Sequence, residues 1–547
     1  MSRDVAPDHD VVVVGAGFSG LYALHRLHDL NIVCFEAGDG VGGTWYWNRY
    51  PGARVDIESM QYSYGFDDAL QQEWKWPEHF SPQADLEGYA NHVADRFGLR
   101  DLIRFNSRVS EVRFDEAANL WHVSVAGGST VTARYIIAAT GALNATNVPA
   151  FPGLDRYQGR WLHTSRWPRE GVAFEGKRVG VIGTGSTGIQ AIPVIARTAE
   201  HVTVFQRTPA YTVPALNLPL DEEYERTGKE NYPDRRLQMR ASLSATYESA
   251  EKFGSVFDHS PEEREQILEK AWTSRSGLDF ITTFSDTLSS LEANEVSAEF
   301  VRKKIRQIVQ NPDVARKLTP TSYPIGSKRI CMDTGYYETF NRPNVSLVDL
   351  SQEPILEMTE RGIRTSAETH DLDLIVLATG FDGVTGSLVR MNVTGIDGAK
   401  LEEKWADGPS NYLGFTVSGF PNMFMIHGPG SPGVLAQMIT GGEWQVEWVE
   451  RVIRDLMRRK VARIDTLPEA ESEWDNEMEA MAGYTLYKYA DSWYMGANIP
   501  GKKRKFLIYV GGFNRYAALC DEAVDNGYRG FRLASPMSVP SLPPKHR

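Results

Sequence analysis

The chain has 547 residues, enough for two or three domains with cores of their own. With 58 Lys and Arg against 71 Asp and Glu its formal charge is −13, so no basic surface recommends nucleic acid or an anionic membrane as a partner. Its longest apolar runs, such as Val11–Val14 and Leu374–Ala378, are strand-sized and far short of the ~20 residues that span a bilayer. The N-terminal stretch "MSRDVAPDHD" has no apolar signal-peptide core. Cys34, Cys331 and Cys520 lie far apart, without a CxxC or a His/Cys cluster, which predicts no disulfide framework, no zinc site and no dithiol redox centre. A reducing, cytoplasmic compartment is expected, with the chain a monomer or a weak oligomer.

In chain order, the first element is a four-valine strand that meets Gly15-Ala16-Gly17-Phe18-Ser19-Gly20, followed by Leu21, Leu24, Leu27 and Leu30 at helical spacing. The first glycine permits the tight turn, the second lets the backbone approach a pyrophosphate, and the third lets helix and strand pack closely. The helix N-terminus then offers unpaired N–H groups and a positive dipole end to the phosphates. A second strand, "NIVCFEA", ends at Glu36, where an acidic side chain would hydrogen-bond a ribose hydroxyl. A lone GxGxxG is a weak signal. Strand, turn, helix, strand and terminal acid in order are a strong one.

The segment "KRVGVIGTGSTGIQ" repeats this grammar with Gly183, Gly185 and Gly188. Its following strand, "HVTVFQRT", ends on Gln206-Arg207 where the first ended on Glu36. Glutamate there would repel a 2′-phosphate, whereas arginine would bind it through a charge-assisted fork. The first cradle therefore suits FAD and the second NADPH, a pairing that makes sense if a hydride passes from one to the other.

Two apolar strands, "YIIAATGAL" (135–143) and "DLIVLATGFD" (373–382), each end in Ala-Thr-Gly and read as crossings between the two nucleotide units. The intervening stretch is charged, helical and poor in strand signal; Ser260-Pro261-Glu262-Glu263 is a helix start with a cap and a capping-box glutamate, and Phe300, Val301, Ile305 and Ile308 mark a buried helix face. "KFLIYVGGF" (505–513) carries strand and turn signals, and "ASPMSVPSLPPKHR" reads as a disordered Pro-rich tail. The expected fold is α/β, with two Rossmann-like dinucleotide-binding domains, for FAD and NADP, and a helical insertion. The expected division is FAD-binding 1–145, NADP-binding 146–210, insertion 211–331, NADP-binding 332–378 and FAD-binding 379–547.

"YQGRWLHTSRWP" (157–168) resembles the fingerprint of the Baeyer–Villiger monooxygenases, Phe-x-Gly-x-x-x-His-x-x-x-Trp-Pro/Asp, with Tyr157 departing at the first position. "GGTWYWNRYPGARVD" matches a second pattern of that family at Gly43, Trp45, Tyr50, Pro51, Gly52 and Asp56. "SYPIGSKRICMDTGYYETFNRPN" is similar to its active-site arginine segment and "DSWYMGANIPGKK" to its C-terminal loop. Loop lengths look nearer the phenylacetone and steroid monooxygenase branch than the cyclohexanone one.

The resemblance implies that NADPH reduces FAD and that the reduced flavin, with dioxygen, gives a C4a-peroxyflavin that attacks a small-molecule ketone and yields an ester or lactone. Such chemistry needs a fixed cation in a water-poor pocket. The resemblance makes Arg329 that cation and Asp56 its partner, and an arginine stays charged at any working pH. It also implies Lys328 as a second contact to the 2′-phosphate and Trp493 as a contact of the closing loop. Further cofactor contacts are expected at Thr44, Trp45, Tyr62, Ser186 and Thr208. Leu143, Gly433, Val434, Leu435 and Met438 are the expected substrate pocket, with Gly433 leaving it roomy. His163 and Trp167 are expected to be structural. Two alternatives stay open: a flavin N- or S-oxygenating monooxygenase, and a redox protein that binds FAD and NADPH without oxygenating anything.

Overall fold

The structure is a computed structural model and describes residues 6–247 and 251–536. Strand β1 (His9–Val14) is fully buried at Val11, Val12 and Val13, as an unbroken valine run requires when both faces of a sheet are covered. It leads into α1 (Phe18–Leu27), which buries Leu21, Leu24 and Leu27, and then into β2 (Ile32–Phe35), parallel to β1. Strand β3 (Thr130–Ala138) lies parallel on the other side of β1, and an antiparallel flank of Val109–Asp115 and Leu120–Val125 extends the sheet beyond it.

The chain then builds a second sheet. Its strands are β4 (Arg160–His163), β5 (Arg178–Ile182), β6 (His201–Gln206), β7 (Val345–Asp349) and β8 (Leu374–Leu377). All are parallel, in the order β7-β6-β5-β8-β4, and α2 (Ser186–Ile195) crosses over from β5 to β6. After β8 the chain returns to the first sheet, first as a short edge strand, Val393–Thr394, beside Val109–Asp115, and then as β9 (Met423–Met425), which pairs with the last residues of β3. The long helix α3 (Met438–Arg458) follows and lies on α1, where Tyr22 donates to Glu447 at 2.9 Å and Arg26 to Glu450 at 2.7 Å. This is the expected α/β architecture with two dinucleotide-binding units.

The insertion between β6 and β7 is helical, as its composition predicts, and a short parallel pair, Thr212–Pro214 with Cys331–Asp333, closes its base. The helix Pro261–Trp272 starts with the expected box: Ser260 Oγ accepts from the Glu263 N–H at 3.2 Å, and the Glu263 carboxylate accepts from the Ser260 N–H at 2.8 Å. On Leu291–Ile308 the residues Phe300, Val301 and Ile305 are buried and Ile308 half-buried.

One expectation is corrected. "KFLIYVGGF" forms no strand: it is extended, and Phe513 already starts the helix Phe513–Asp525. Its backbone partners come from three separate segments: the Gly430 N–H to Leu507 and the Tyr509 N–H to Ser431, the Leu507 N–H to Tyr494, and the Phe513 N–H to Leu243. No continuous ladder forms between such partners. Of the Pro-rich tail, Ala534–Pro536 ends a strand, Phe531–Pro536, paired with Val461–Thr466, and 537–547 lie outside the described residues.

Glu443, on α3, is buried and accepts the Gly65 N–H at 2.8 Å. Burial pushes its carboxyl up to about 7, with Arg236 and Arg240 opposing. A carboxyl whose folded value lies above its unfolded one favours the fold fully below about pH 4.5, and that contribution is lost as pH rises through about 7. Glu443→Gln is therefore expected to raise the melting temperature relative to wild type by more at pH 8 than at pH 4. Thermal scans at the two values check it; equal shifts at both would contradict it.

Candidate active site

The two glycine turns are built alike. Gly15 (φ +101°) and Gly183 (φ +110°) each end a strand in a conformation that L side chains rarely adopt. A Cβ on Gly15 would stand 2.7 Å from the Ala139 carbonyl oxygen, and one on Gly183 would stand 2.4 Å from that of Ala378. Each Ala-Thr-Gly segment thus backs onto the first glycine of its own cradle. The third glycines are forced as well: a Cβ on Gly20 would meet the Gly15 oxygen at 1.9 Å, and one on Gly188 the Gly183 oxygen at 2.2 Å.

The middle glycines differ. Gly185 has open space where its Cβ would be, and Gly17 faces only Gly43, 3.4 Å away. Neither α1 nor α2 has a side chain capping its N-terminus, so their first N–H groups are left for a ligand. Both turns fit a pyrophosphate.

The first turn opens into a cavity of about 490 Å³. Gly15, Gly17, Glu36, Thr44, Trp45, Asp56, Tyr62, Ser186 and Trp493 all line it. Glu36 follows β2 directly, and its carboxylate accepts the N–H groups of Ala16 and Gly38, each at 2.8 Å. Burial pushes this carboxyl up, and those two donors oppose the shift. It braces the turn and lines the cavity at once. Trp45 Nε1 donates to the Tyr62 hydroxyl at 3.2 Å, edge to face.

A second cavity, about 830 Å³, lies toward the helical insertion. Asp56, Ile57, Arg329, Val434 and Ala436 line both cavities and form the wall between them. In that wall Arg329 donates from Nε to Asp56 Oδ2 at 2.7 Å and from Nη2 to Oδ1 at 2.8 Å, and its Nη1 donates to the Val434 carbonyl at 2.9 Å. This is a planar fork held at three points, a geometry a lysine could not reproduce. Asp56 drives the Arg329 value up against the effect of burial. The Asp56 carboxyl is half-buried, and although desolvation pushes it up, the guanidinium holds it below the usual carboxylate range. The pair stays charged at every working pH.

On the second cradle, Arg207 is exposed just past β6, and the Thr184 hydroxyl donates to the Thr208 carbonyl at 3.1 Å. Lys328 lines the larger cavity, with Nζ 4.6 Å from the centre of the Tyr323 ring. Burial lowers its pKa, and the charge of Arg207 lowers it further. Two cations that feel one another fit an anionic group.

The family model "Flavin-binding monooxygenase-like" matches residues 8–218. The chain is 42% identical to a Baeyer–Villiger monooxygenase of Pseudooceanicola batsensis, over 96% of each chain. It belongs to the Baeyer–Villiger monooxygenases. A phenazine N-monooxygenase of Lysobacter antibioticus is 41% identical over 96% of this chain and 97% of its own. Among solved structures, an oxidised steroid monooxygenase bound to NADP superposes with a TM-score of 0.91 at 46% identity, and an OTEMO complex with FAD and NADP with 0.93 at 40%; both match 97% of this chain and 100% of theirs.

In this monooxygenase the fingerprint segment makes contacts within the fold. The departure at Tyr157 has a partner, since its hydroxyl donates to the Leu372 carbonyl at 2.9 Å. His163 is buried, with Nδ1 2.9 Å from the Ser165 hydroxyl and Nε2 3.2 Å from that of Thr379, whose Oγ1 donates to the Asn147 carbonyl at 2.6 Å. It joins the two crossings between the sheets, and burial lowers it to about 4. Trp167 packs on Phe174. Tyr50 donates to Gln190 at 2.8 Å, and Gln190 in turn donates to the Arg54 carbonyl at 3.1 Å, which ties the second family pattern to α2.

Leu143 and Met438 line the smaller cavity, Leu435 the larger, and Val434 both. Gly433 lies between Pro432 and Val434, which line the larger cavity, and a Cβ there would stand 3.6 Å from Ile508 Cδ1. Its φ of +45° is what makes glycine fit there. Sequence reasoning missed the wall supplied by the insertion, where Leu278, Ile281, Phe284 and Leu288 line the larger cavity. It also missed Tyr494, which is buried beside Trp493 and lines the larger cavity together with Arg329. Position next to Trp493 was the one signal for it. The cysteines are all buried and free.

Proposed function

We propose that the monooxygenase converts a ketone to an ester or lactone at Arg329, with FAD along the 490 Å³ cavity, NADPH on the second cradle and the ketone in the 830 Å³ cavity. The observation that carries this is the position of the Arg329 fork in the wall shared by the two cavities. Bound FAD, once reduced by NADPH, supplies the oxygen-activating chemistry. Arg329 presents a cation where negative charge gathers on the ketone oxygen as it becomes tetrahedral. Asp56 fixes the plane of the guanidinium, and the Val434 carbonyl fixes its tilt. Leu278, Ile281 and Phe284 exclude water from the carbonyl's side. Trp493 closes the smaller cavity from a loop anchored where Asn498 donates to the Phe381 carbonyl at 2.7 Å. Arg207 and Lys328 take the 2′-phosphate.

The domain division 1–145, 146–210, 211–331, 332–378 and 379–547 is part of the reading, supported by where the chain changes sheets. So is a cytoplasmic monomer or weak oligomer, supported by three free cysteines and by the absence, among the described residues, of a helix long and apolar enough to cross a membrane.

The phenazine N-monooxygenase among the relatives gives one second reading, oxygen transfer to an aromatic nitrogen. Incubation with NADPH and air separates the two, using a panel of linear, cyclic, aromatic and steroid ketones beside a panel of amines, azines and sulfides. Esters or lactones from the first panel and no product from the second are expected. Products from the azines alone would replace the ketone reading.

A further inference from the structure

His427 follows β9 at the carboxyl edge of the first sheet, beside the turn that holds Gly15. It is only 7% exposed, and it lines the 490 Å³ cavity. Its backbone sits in the left-handed region at φ +56°, rare for a side chain of this size, and its N–H is pinned by Gln445 Oε1 at 2.7 Å. The imidazole has one favourable contact, with the Met438 backbone, while Nε2 is buried without a hydrogen-bond partner. An apolar side chain would fill the same space without stranding a nitrogen.

The surroundings are shaped to admit it. A Cβ on Gly442 would stand 3.0 Å from His427 Nε2 and 2.9 Å from Ser19 Oγ, so glycine is what allows the imidazole to reach the first turn of α1. Ser19 lies on that turn, where the free N–H groups fit a pyrophosphate. Met438, on the imidazole's other side, lines the same cavity, as do Ala436 and Val434 in the Arg329 wall. His427 therefore stands between the pyrophosphate turn and the reacting end.

With Nδ1 donating to the Met438 carbonyl, a neutral imidazole has only an acceptor lone pair left at Nε2. Burial keeps the ring neutral by lowering it to about 4. A phosphate oxygen, itself an acceptor, cannot pair with that lone pair. A hydroxyl can. Between the pyrophosphate and the isoalloxazine, the hydroxyls of FAD are those of the ribityl chain.

We propose that His427 Nε2 accepts a hydrogen bond from a ribityl hydroxyl of FAD and so sets the course of the cofactor from the α1 turn toward Arg329. The inference rests on FAD occupying the 490 Å³ cavity. FAD affinity is measured by titrating apoprotein with FAD and with its 2′-, 3′- and 4′-deoxyribityl analogues, for wild type and for His427→Asn, a residue that tolerates the left-handed backbone.

Wild type is expected to bind one analogue about tenfold more weakly than FAD, as the loss of one neutral hydrogen bond dictates. His427→Asn is expected to bind FAD about tenfold more weakly and to treat that analogue and FAD alike. Should the variant fail to fold, the imidazole 15N resonances of wild-type His427 decide the matter: a neutral ring with a shifted Nε2 on FAD addition supports the contact. An unmoved Nε2, a doubly protonated ring (a phosphate contact) or wild-type FAD affinity in His427→Asn would overturn it. Failure of the wild-type protein to bind FAD at all would instead remove the placement of the cofactor on which the inference rests.

Discussion

Arg329→Ala is expected to lower ester formation by about a thousandfold or more, while FAD occupancy and anaerobic flavin reduction by NADPH stay near wild type. The substitution removes the single cation of the wall between the two cavities and leaves Asp56, half-buried, without its partner. Losing one preorganised donor to a developing oxyanion costs on the order of 10²–10³ in rate, and here the donor is also the charge. Arg329→Lys is expected to recover little, because an ammonium cannot reach both Asp56 oxygens and the Val434 carbonyl together. Reduction by NADPH does not need the cation, so stopped-flow reduction and product analysis part company in the variant. Substantial ester yield from Arg329→Ala would overturn the assignment.

The second large effect is on cofactor choice. Arg207→Ala is expected to weaken NADPH by on the order of 30-fold and to leave NADH nearly unchanged, since one charge-assisted contact to a phosphate is lost and NADH lacks that phosphate. Arg207 is exposed, so the fold should not respond. The charge of Arg207 is felt at Lys328, so Lys328→Ala should shift the NADPH-to-NADH preference in the same direction. Steady-state KM values for both nucleotides measure it. Equal loss for NADPH and NADH would mean that the 2′-phosphate sits elsewhere.

The two cradles were legible because each is dictated by contacts within about twenty residues of chain and one backing strand. The glycines at 15, 20, 183 and 188 are where any Cβ would collide with backbone, and such positions cannot vary without trace. Glu36 and Arg207 could be placed because they follow the second strand of their units directly. Arg329 and Asp56 were a different case. They lie 273 positions apart, and no local pattern could have paired them without the family motifs.

What stayed hidden depends on packing between distant segments. The insertion reads as charged helices, yet its short helix Gly277–Ile281 and the turn after it supply one wall of the larger cavity. "KFLIYVGGF" has strand composition, but its backbone partners belong to three separate segments, so propensity was overridden. His427 showed nothing in sequence; its environment exists only where β9, α1 and α3 converge.

The central claim is that this chain places one atom of dioxygen beside a ketone carbonyl. The most direct measurement is mass spectrometry of the product formed by purified protein with FAD, NADPH and ¹⁸O-labelled dioxygen, using the ketone that the panel shows to be converted best. The account predicts an ester or lactone with one labelled oxygen, in the bridging position and not in the carbonyl. NADPH consumption that yields only hydrogen peroxide across the whole panel, or a product with no label, would contradict it.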